Sequence, residues 1–468
     1  MFSWIVDNPV SSVLFFVSFV CLVQAWLLKK DFFSPVNVYC FSQCITLAVA
    51  YLKLDHAMTD FKLKTWIFWI GALVCFCAGG FLVNLVARIK SCPVNCNPCV
   101  RQYGYNWKLH VLLAFGTFLM FLVGVAGIVH TAGQLLVFVD DPAEWMTQEP
   151  RFGYFGIFFS GGPLTVLLFA LSSFSRFNPV KSLRMVSRFM VVFTIIFAFL
   201  AYPNRTSLFF SIGFIIILYN YLHKRVSAFW MLFSLVFAIG AFMGISALRS
   251  QQYMGSLKKN AVNMVALLPY RYVANNYWNL DYAINPTSDM ERHPPTYGID
   301  FFSGMLEYTG MTTKIKKSNR WDSPFQESVQ KRDGFNTVSY LWEVYKDWGF
   351  FGVLLVPLIC GMALSVFYLR LSKPYTPRDI AFYTYFIYFV GWWFFSPSYK
   401  QGLYWFWMFL LYFVTTVCMK CLPLPANAPV LDKVSSEEEG EEQVSAQGEE
   451  GDAAGLAKPG PEGTNADV

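Results

Sequence analysis

Residues 335–368 read FNTVSYLWEVYKDWGFFGVLLVPLICGMALSVFY. The run up to Asp347 is polar and amphipathic, and from Gly349 to about residue 369 no charge interrupts it. About 20 apolar residues of helix cross the hydrocarbon core of a bilayer. The stretch therefore predicts a polar segment that reaches the membrane surface at Asp347 and a spanning helix over 349–369. Gly349 and Gly352 would permit close helix contact. An aspartate in the first turn suits the positive end of the helix dipole, and this structural role stands beside a chemical one.

Outward from this segment, further apolar runs fall at about 10–28, 34–52, 65–86, 110–138, 154–174, 186–201, 206–222, 228–248, 380–396 and 402–419. With 349–369 they predict an all-α, polytopic integral membrane protein of about eleven transmembrane helices. Composition agrees. The chain of 468 residues is 55% hydrophobic and only 14% charged, against about 25% charged in a typical soluble protein. A cytosolic enzyme, a secreted disulfide scaffold and a nucleic-acid-binding module are excluded on that ground. The first run reads as a span rather than a cleavable signal, since Lys29 and Lys30 follow it directly and no small-residue cleavage site does.

Basic clusters occupy alternate connections: Lys29/Lys30, Arg88/Lys90/Arg101/Lys108, Arg176/Lys181/Arg184/Arg188, Lys224/Arg225 and Arg370/Lys373/Arg378. The intervening ones are mixed or acidic, as at Asp140/Asp141/Glu144/Glu149. Lysine and arginine resist translocation, so the basic set is expected inside, the N-terminus outside and the C-terminus inside. Four regions follow: helices one to eight in 1–248, a large outer loop over 249–347, helices nine to eleven in 348–421, and a tail over 422–468. The loop is rich in Tyr, Trp and Asn, and loops of such length are usually functional. Within it, Ala261–Leu268 and Phe301–Tyr308 read as short helices at the membrane surface. The tail carries a net charge of −9 from Leu431 to Val468, against +6 for the whole chain. With almost no aliphatic or aromatic content it reads as a disordered cytoplasmic segment.

The chemistry-bearing residues are few. Cys92-x3-Cys96-x2-Cys99 and Cys418-x2-Cys421 could hold zinc only by combining, since neither supplies four ligands. Their inside placement is reducing, so unpaired thiols need no further reason, and no metal or cofactor is assigned. The chain has no P-loop, no HExxH and no GxSxG. Charges are almost absent within the spans, unlike in ion-coupled transporters. They gather instead at helix ends on the outer side: Arg205 before the seventh span, Arg249 after the eighth, and Glu343, Lys346 and Asp347 before the ninth. Arg205 lies in an outer loop only a few residues long, where it opposes the sidedness rule. It either snorkels to lipid phosphates or clamps a diphosphate with its guanidinium fork. Arg249 and Arg271 carry the same two readings. Tyr270, Tyr272, Tyr277 and Trp278 suit anchoring at the membrane interface.

The Asn-Thr…Tyr…Asp-aromatic-Gly-x2-Gly pattern at 336–352, the outer-end arginine Arg205, and one long loop before a late helix resemble the Wzy-type O-antigen or oligosaccharide repeat-unit polymerases. So does the aromatic stretch Tyr270–Asp281. The architectural resemblance covers about residues 1–420. It implies a membrane glycosyltransferase of the GT-C-like kind, with the large loop periplasmic and the chain in the bacterial inner membrane. Implied substrates are glycans on undecaprenyl diphosphate, with a chain-length regulator and a flippase as partners and no nucleic acid. Arg205 with Arg249 or Arg271 would hold the diphosphate. Asp347, Glu343 and His293 are the candidate bases. Tyr270, Tyr272, Tyr277 and Trp278 would bind sugar. A ligase that passes finished glycan to another acceptor, a lipid-linked oligosaccharide flippase or transporter, and a structural scaffold are the alternatives.

Overall fold

The apolar runs form helices whose ends follow local chemistry. In this computed structural model, the described residues are 8–27, 31–54, 59–90, 103–138, 153–175, 178–201, 205–227, 229–231, 233–234, 236–237, 240, 261–285, 297–299, 301–306, 337–371, 376–395 and 398–421. Among them are thirteen α-helices. They are α1 (Pro9–Leu27), α2 (Pro35–Ala50), α3 (Leu63–Lys90), α4 (Trp107–Ala132), α5 (Gly153–Ser160), α6 (Gly162–Phe174) and α7 (Lys181–Ala201). There follow α8 (Arg205–Leu222), α9 (Ala261–Ile284), α10 (Ser303–Leu306), α11 (Tyr340–Leu371), α12 (Pro377–Gly391) and α13 (Gly402–Val417). Pro35 opens α2, where its missing N–H would have no helical acceptor. Asn106 caps α4 by accepting the Leu109 N–H at 3.1 Å, and Gly133 ends it at φ 77°. Thr376 and Asp379 form a reciprocal capping box at α12.

Five stretches are long and apolar enough to cross a membrane: Leu63–Ala87, Trp107–Phe138, Phe155–Phe174, Lys181–Ala201 and Tyr340–Leu371. Shorter apolar helices cover Pro9–Gln24, Pro35–Ala50, Thr206–Leu222 and Gly402–Val417. Most of the expected segment 228–248 lies outside the described residues. Large apolar side chains face outward, including Ile67, Ile70, Val74 and Phe81 on α3 and Phe351, Leu355 and Ile359 on α11. Exposed apolar surface on successive turns of long helices is what a lipid environment requires, and the chain is a helical membrane protein.

Among the described residues the most extensive helix packing joins α3 to α11, and it runs through glycine. A Cβ on Gly79 would stand 2.3 Å from Leu358 O, and one on Gly361 would stand 2.2 Å from Phe76 O. Small residues let membrane helices approach backbone to backbone where lipid offers no hydrophobic drive. The ninth expected helix begins earlier than the apolar run. It starts at Tyr340 and bends at Gly349, whose φ of 63° and ψ of −151° are not helical. Gly349 thus acts through its backbone angles, with open space around it, and not through close contact. Gly352 does make a close contact, with Trp348 and Val344 across the bend.

Side-chain contacts sort the helix ends into two rims. On one, Asp31 accepts from Asn220 Nδ2 at 3.4 Å and from the Tyr221 hydroxyl. There too β1 (Tyr103–Tyr105) pairs with β2 (Met419–Cys421), a small ribbon inside an architecture expected to be wholly helical. On the other rim, Tyr340 N–H donates to Trp393 O at 3.1 Å. Phe209, one turn into α8, stacks on Trp392 at 5.7 Å, so the helix start at Arg205 belongs to this second rim. α9 was expected as a short surface helix over 261–268 and is a longer helix reaching Ile284. The unit Cys421–Val468, which holds the acidic tail, lies outside the described residues beyond Cys421 itself.

Candidate functional site

The second rim is built on α9. Asp281 Oδ1 accepts from Lys62 N at 2.8 Å and from Thr65 Oγ1, which places a carboxylate at the start of α3 where the dipole favours it. Tyr270 Oη accepts Leu54 N–H at 3.0 Å and donates to Ala50 O at 3.2 Å. The Tyr277 hydroxyl meets Thr46 Oγ1 at 2.7 Å. Asn279 Nδ2 donates to Thr337 O at 2.8 Å, tying α9 to the approach of α11. The bonds to Lys62 N and Leu54 N satisfy backbone donors beside the start of α3 and the end of α2.

Asp347 sits at the end of the polar half of α11 and is fully buried. Its Oδ2 accepts the Phe301 N–H at 2.6 Å, and its carbonyl accepts the Tyr297 N–H at 3.1 Å. Residues 297–299 and 301–306 are thereby held against α11. Phe301 packs on Tyr399 at 4.3 Å and on Trp348 at 5.3 Å. Gly304 abuts the backbone of Lys400 and Gln401, where a Cβ would come within 2.7 Å. Ser303 Oγ donates to Lys400 O at 3.4 Å.

Beside this dock lies an ion cluster. Glu343 Oε2 stands 2.9 Å from Lys400 Nζ and 3.3 Å from Lys346 Nζ. The side chains of Glu343 and Lys346 are 13% and 10% exposed, and that of Lys400 is 27% exposed. Partial burial strengthens such a cluster relative to a surface pair, because water screens it less. The Tyr399 hydroxyl is buried without a hydrogen-bond partner among the described residues. Burial, with the Glu343 carboxylate nearby, pushes this phenol well above its ordinary range, so it remains a donor.

The structure brings Asp347 and Glu343 together. Arg271 and Tyr272 lie on α9 at the same rim, with Tyr272 stacked on Phe395 at 5.6 Å. Arg205 opens α8 at this rim, its side chain outside the described residues. Tyr270 and Tyr277 are struts within the packing rather than open rings, and Trp278 is half-buried. Arg249, His293 and the Cys92/Cys96/Cys99 cluster lie outside the described residues. No group of three or more His, Cys, Asp or Glu among the described residues lies close enough to hold a metal ion. His110 is a buried tie, with Nε2 bonded to Leu168 O at 2.9 Å and Nδ1 to the Tyr105 hydroxyl at 2.9 Å.

Lys400 is the member of the cluster that sequence reasoning missed. Its signal was present: a basic residue in a short connection between apolar helices, on the side where Arg205 had been singled out for the same reason. The fold defines the class, a helical membrane protein, and this rim holds an ion cluster of Glu343, Lys346 and Lys400 at its helix ends. No family model, curated protein or solved structure matches the chain.

Proposed function

We propose that the chain is a membrane glycosyltransferase and, more particularly, a polymerase of oligosaccharide repeat units carried on polyprenyl diphosphate. The observation that supports this reading is the convergence of Glu343, Lys346, Asp347 and Lys400 at one rim, beside the start of α8 at Arg205. A lipid-linked donor keeps its tail in the bilayer and offers its diphosphate and sugar at this depth. The acceptor hydroxyl oxygen attacks the anomeric carbon of the growing glycan as the bond from that carbon to the diphosphate oxygen breaks. The electron pair leaves with the diphosphate, whose developing charge the rim cations stabilise. The hydroxyl proton passes to a carboxylate, Glu343 or Asp347. On this reading the rim faces the periplasm across the bacterial inner membrane.

Purified protein supplied only with lipid-linked repeat units should make a ladder of products one repeat unit apart, and Arg205→Ala should lower polymerisation about 100-fold or more, as loss of a transition-state cation does. A ligase would consume donor without a ladder when offered its separate acceptor. A transporter would move the substrate at unchanged length. A full ladder from Arg205→Ala would remove that arginine from the mechanism.

A further inference from the structure

Four cations stand unmatched at the first rim, the one that carries Asp31 and the β1–β2 ribbon. Lys181, Arg184 and Arg188 follow one another at i, i+3 and i+7 on α7, a spacing that sets them on one stripe. Lys181 and Arg188 are exposed and Arg184 is partly so. Lys108, also exposed, is the second residue of α4. α4 and α7 run side by side in the same direction, with Phe118 against Phe193 at 5.9 Å and Phe121 against Phe197 at 6.2 Å. Lys108 and Arg184 precede these contacts by nearly equal lengths of helix, so they lie at one level. Among the described residues none of the four makes an ion pair or a side-chain hydrogen bond. The carboxylates of this rim, among the described residues, are Asp31 and Asp379, and both are engaged elsewhere. Asp31 accepts from Tyr221, Asn220 and the Phe33 N–H, and Asp379 closes the capping box of α12.

Apolar surface surrounds these cations. Met185, Phe189 and Val192 on α7 are exposed, as are Leu112 and Leu119, which share the Lys108 face of α4. Phe189, Phe193 and Phe197 stack into a ridge along α7 at 5.9 and 5.7 Å. Arg188 stands two turns inside the span Lys181–Ala201, about 10 Å from its start at 1.5 Å per residue. Basic residues that only set sidedness need stand no deeper than the connection, as Lys224 does after α8. Toward lipid an unmatched charge costs more than one in water. We propose that Lys108, Lys181, Arg184 and Arg188 bind the headgroup of an anionic phospholipid of the surrounding leaflet, whose acyl chains lie on the exposed apolar faces of α4 and α7. Ammonium and guanidinium groups make charge-assisted hydrogen bonds to phosphate oxygens, and basic clusters beside membrane helices favour anionic lipids. The apolar faces offer a lipid contact area that a soluble anion cannot use. A zwitterionic lipid brings the same phosphate with a cation attached, which four cations repel. This site is at the opposite ends of the helices from the Asp347 rim and does not depend on the polymerase.

The test offers the full chain, in detergent micelles, equal amounts of phosphatidylglycerol and phosphatidylcholine with matched acyl chains. Native mass spectrometry then counts the lipid that stays bound. The unaltered chain should retain several-fold more phosphatidylglycerol. The double variant Arg184→Gln, Arg188→Gln should retain about tenfold less of it, on the scale of charge-assisted contacts. Lys224→Gln removes an exposed cation of the same rim and should keep the preference. Thermal unfolding in lipid-free micelles checks that each variant folds. Lys181→Gln, at the exposed start of α7, should lose a smaller part of the preference and serves if the double variant does not fold. An unchanged preference in these variants would overturn the proposal. So would an equal loss in Lys224→Gln, which would reduce the effect to the general charge of the rim. Glycerol 3-phosphate at the lipid's concentration should not displace the lipid, and displacement would reassign the cations to a soluble phosphoryl anion. A two-chain mass that disappears in the double variant, with lipid retention unchanged, would seat a second copy on the stripe and reject the lipid.

Discussion

Gly361→Ala and Gly79→Ala should each strip the protein of much of its stability in detergent, while Gly116→Ala should not. The added methyl at Gly361 would press on Phe76 O at 2.2 Å, and at Gly79 on Leu358 O at 2.3 Å. Both obstacles are backbone, which no rotamer change relieves, and both lie in the seam between α3 and α11. Overpacking of a tight interior costs about 1–3 kcal/mol when neighbours can adjust, and here separation of two long helices is the only adjustment. Gly80→Ala meets side-chain atoms rather than backbone, the Val36 methyl at 2.7 Å and Ser365 Oγ at 3.1 Å, and should cost less than the two backbone clashes. Gly116 has nothing within 4 Å, so alanine there should leave stability unchanged or slightly raised through helix propensity. Thermal unfolding followed by size-exclusion chromatography ranks the four. Equal stability of Gly361→Ala and Gly116→Ala would mean that the seam is looser than described.

The second large effect concerns Asp347. Asp347→Ala removes the acceptor of the Phe301 amide, leaving a half-buried donor unsatisfied at about 1–3 kcal/mol. Hydrogen exchange of that amide should rise roughly 10-fold to 100-fold, since each 1.4 kcal/mol is a factor of ten. Asp347→Asn keeps an acceptor oxygen and should hold residues 297–299 and 301–306 nearly as well. Activity then separates the two roles of this carboxylate. If Asp347 only positions the segment, Asp347→Asn retains most polymerisation. If it takes the acceptor's proton, Asp347→Asn loses polymerisation while exchange stays slow. Unchanged exchange in Asp347→Ala would show that the dock does not depend on it.

Much of this is legible in the amino-acid sequence alone. Helix positions follow from apolar length, and the arrival of a polar segment at Asp347 follows from the change of pattern there. Arg205 at a helix start was likewise readable from its short, charge-poor surroundings. What was hidden depended on partners distant in sequence. Tyr270 and Tyr277 look like interfacial aromatics until Ala50, Leu54 and Thr46 are found against their hydroxyls. The two-stranded ribbon pairs residues more than 300 positions apart, with no local turn to announce it. Gly349 carries two possible reasons for being glycine, close contact or backbone angle, and only its φ of 63° separates them. Lys400 needed Glu343 beside it to stand out from an ordinary connection.

The side of the membrane that the Asp347 rim faces decides whether the proposed reaction can occur. Tyr297 lies on this rim, 79% exposed, with its amide on Asp347. A Tyr297→Cys chain can therefore be treated in intact cells, whose outer membrane has been made permeable, with a maleimide that cannot cross the inner membrane. Labelling above that of the unaltered chain before the inner membrane is breached is the predicted result. Labelling only after the inner membrane is opened would put the rim in the cytoplasm and contradict the proposed reaction.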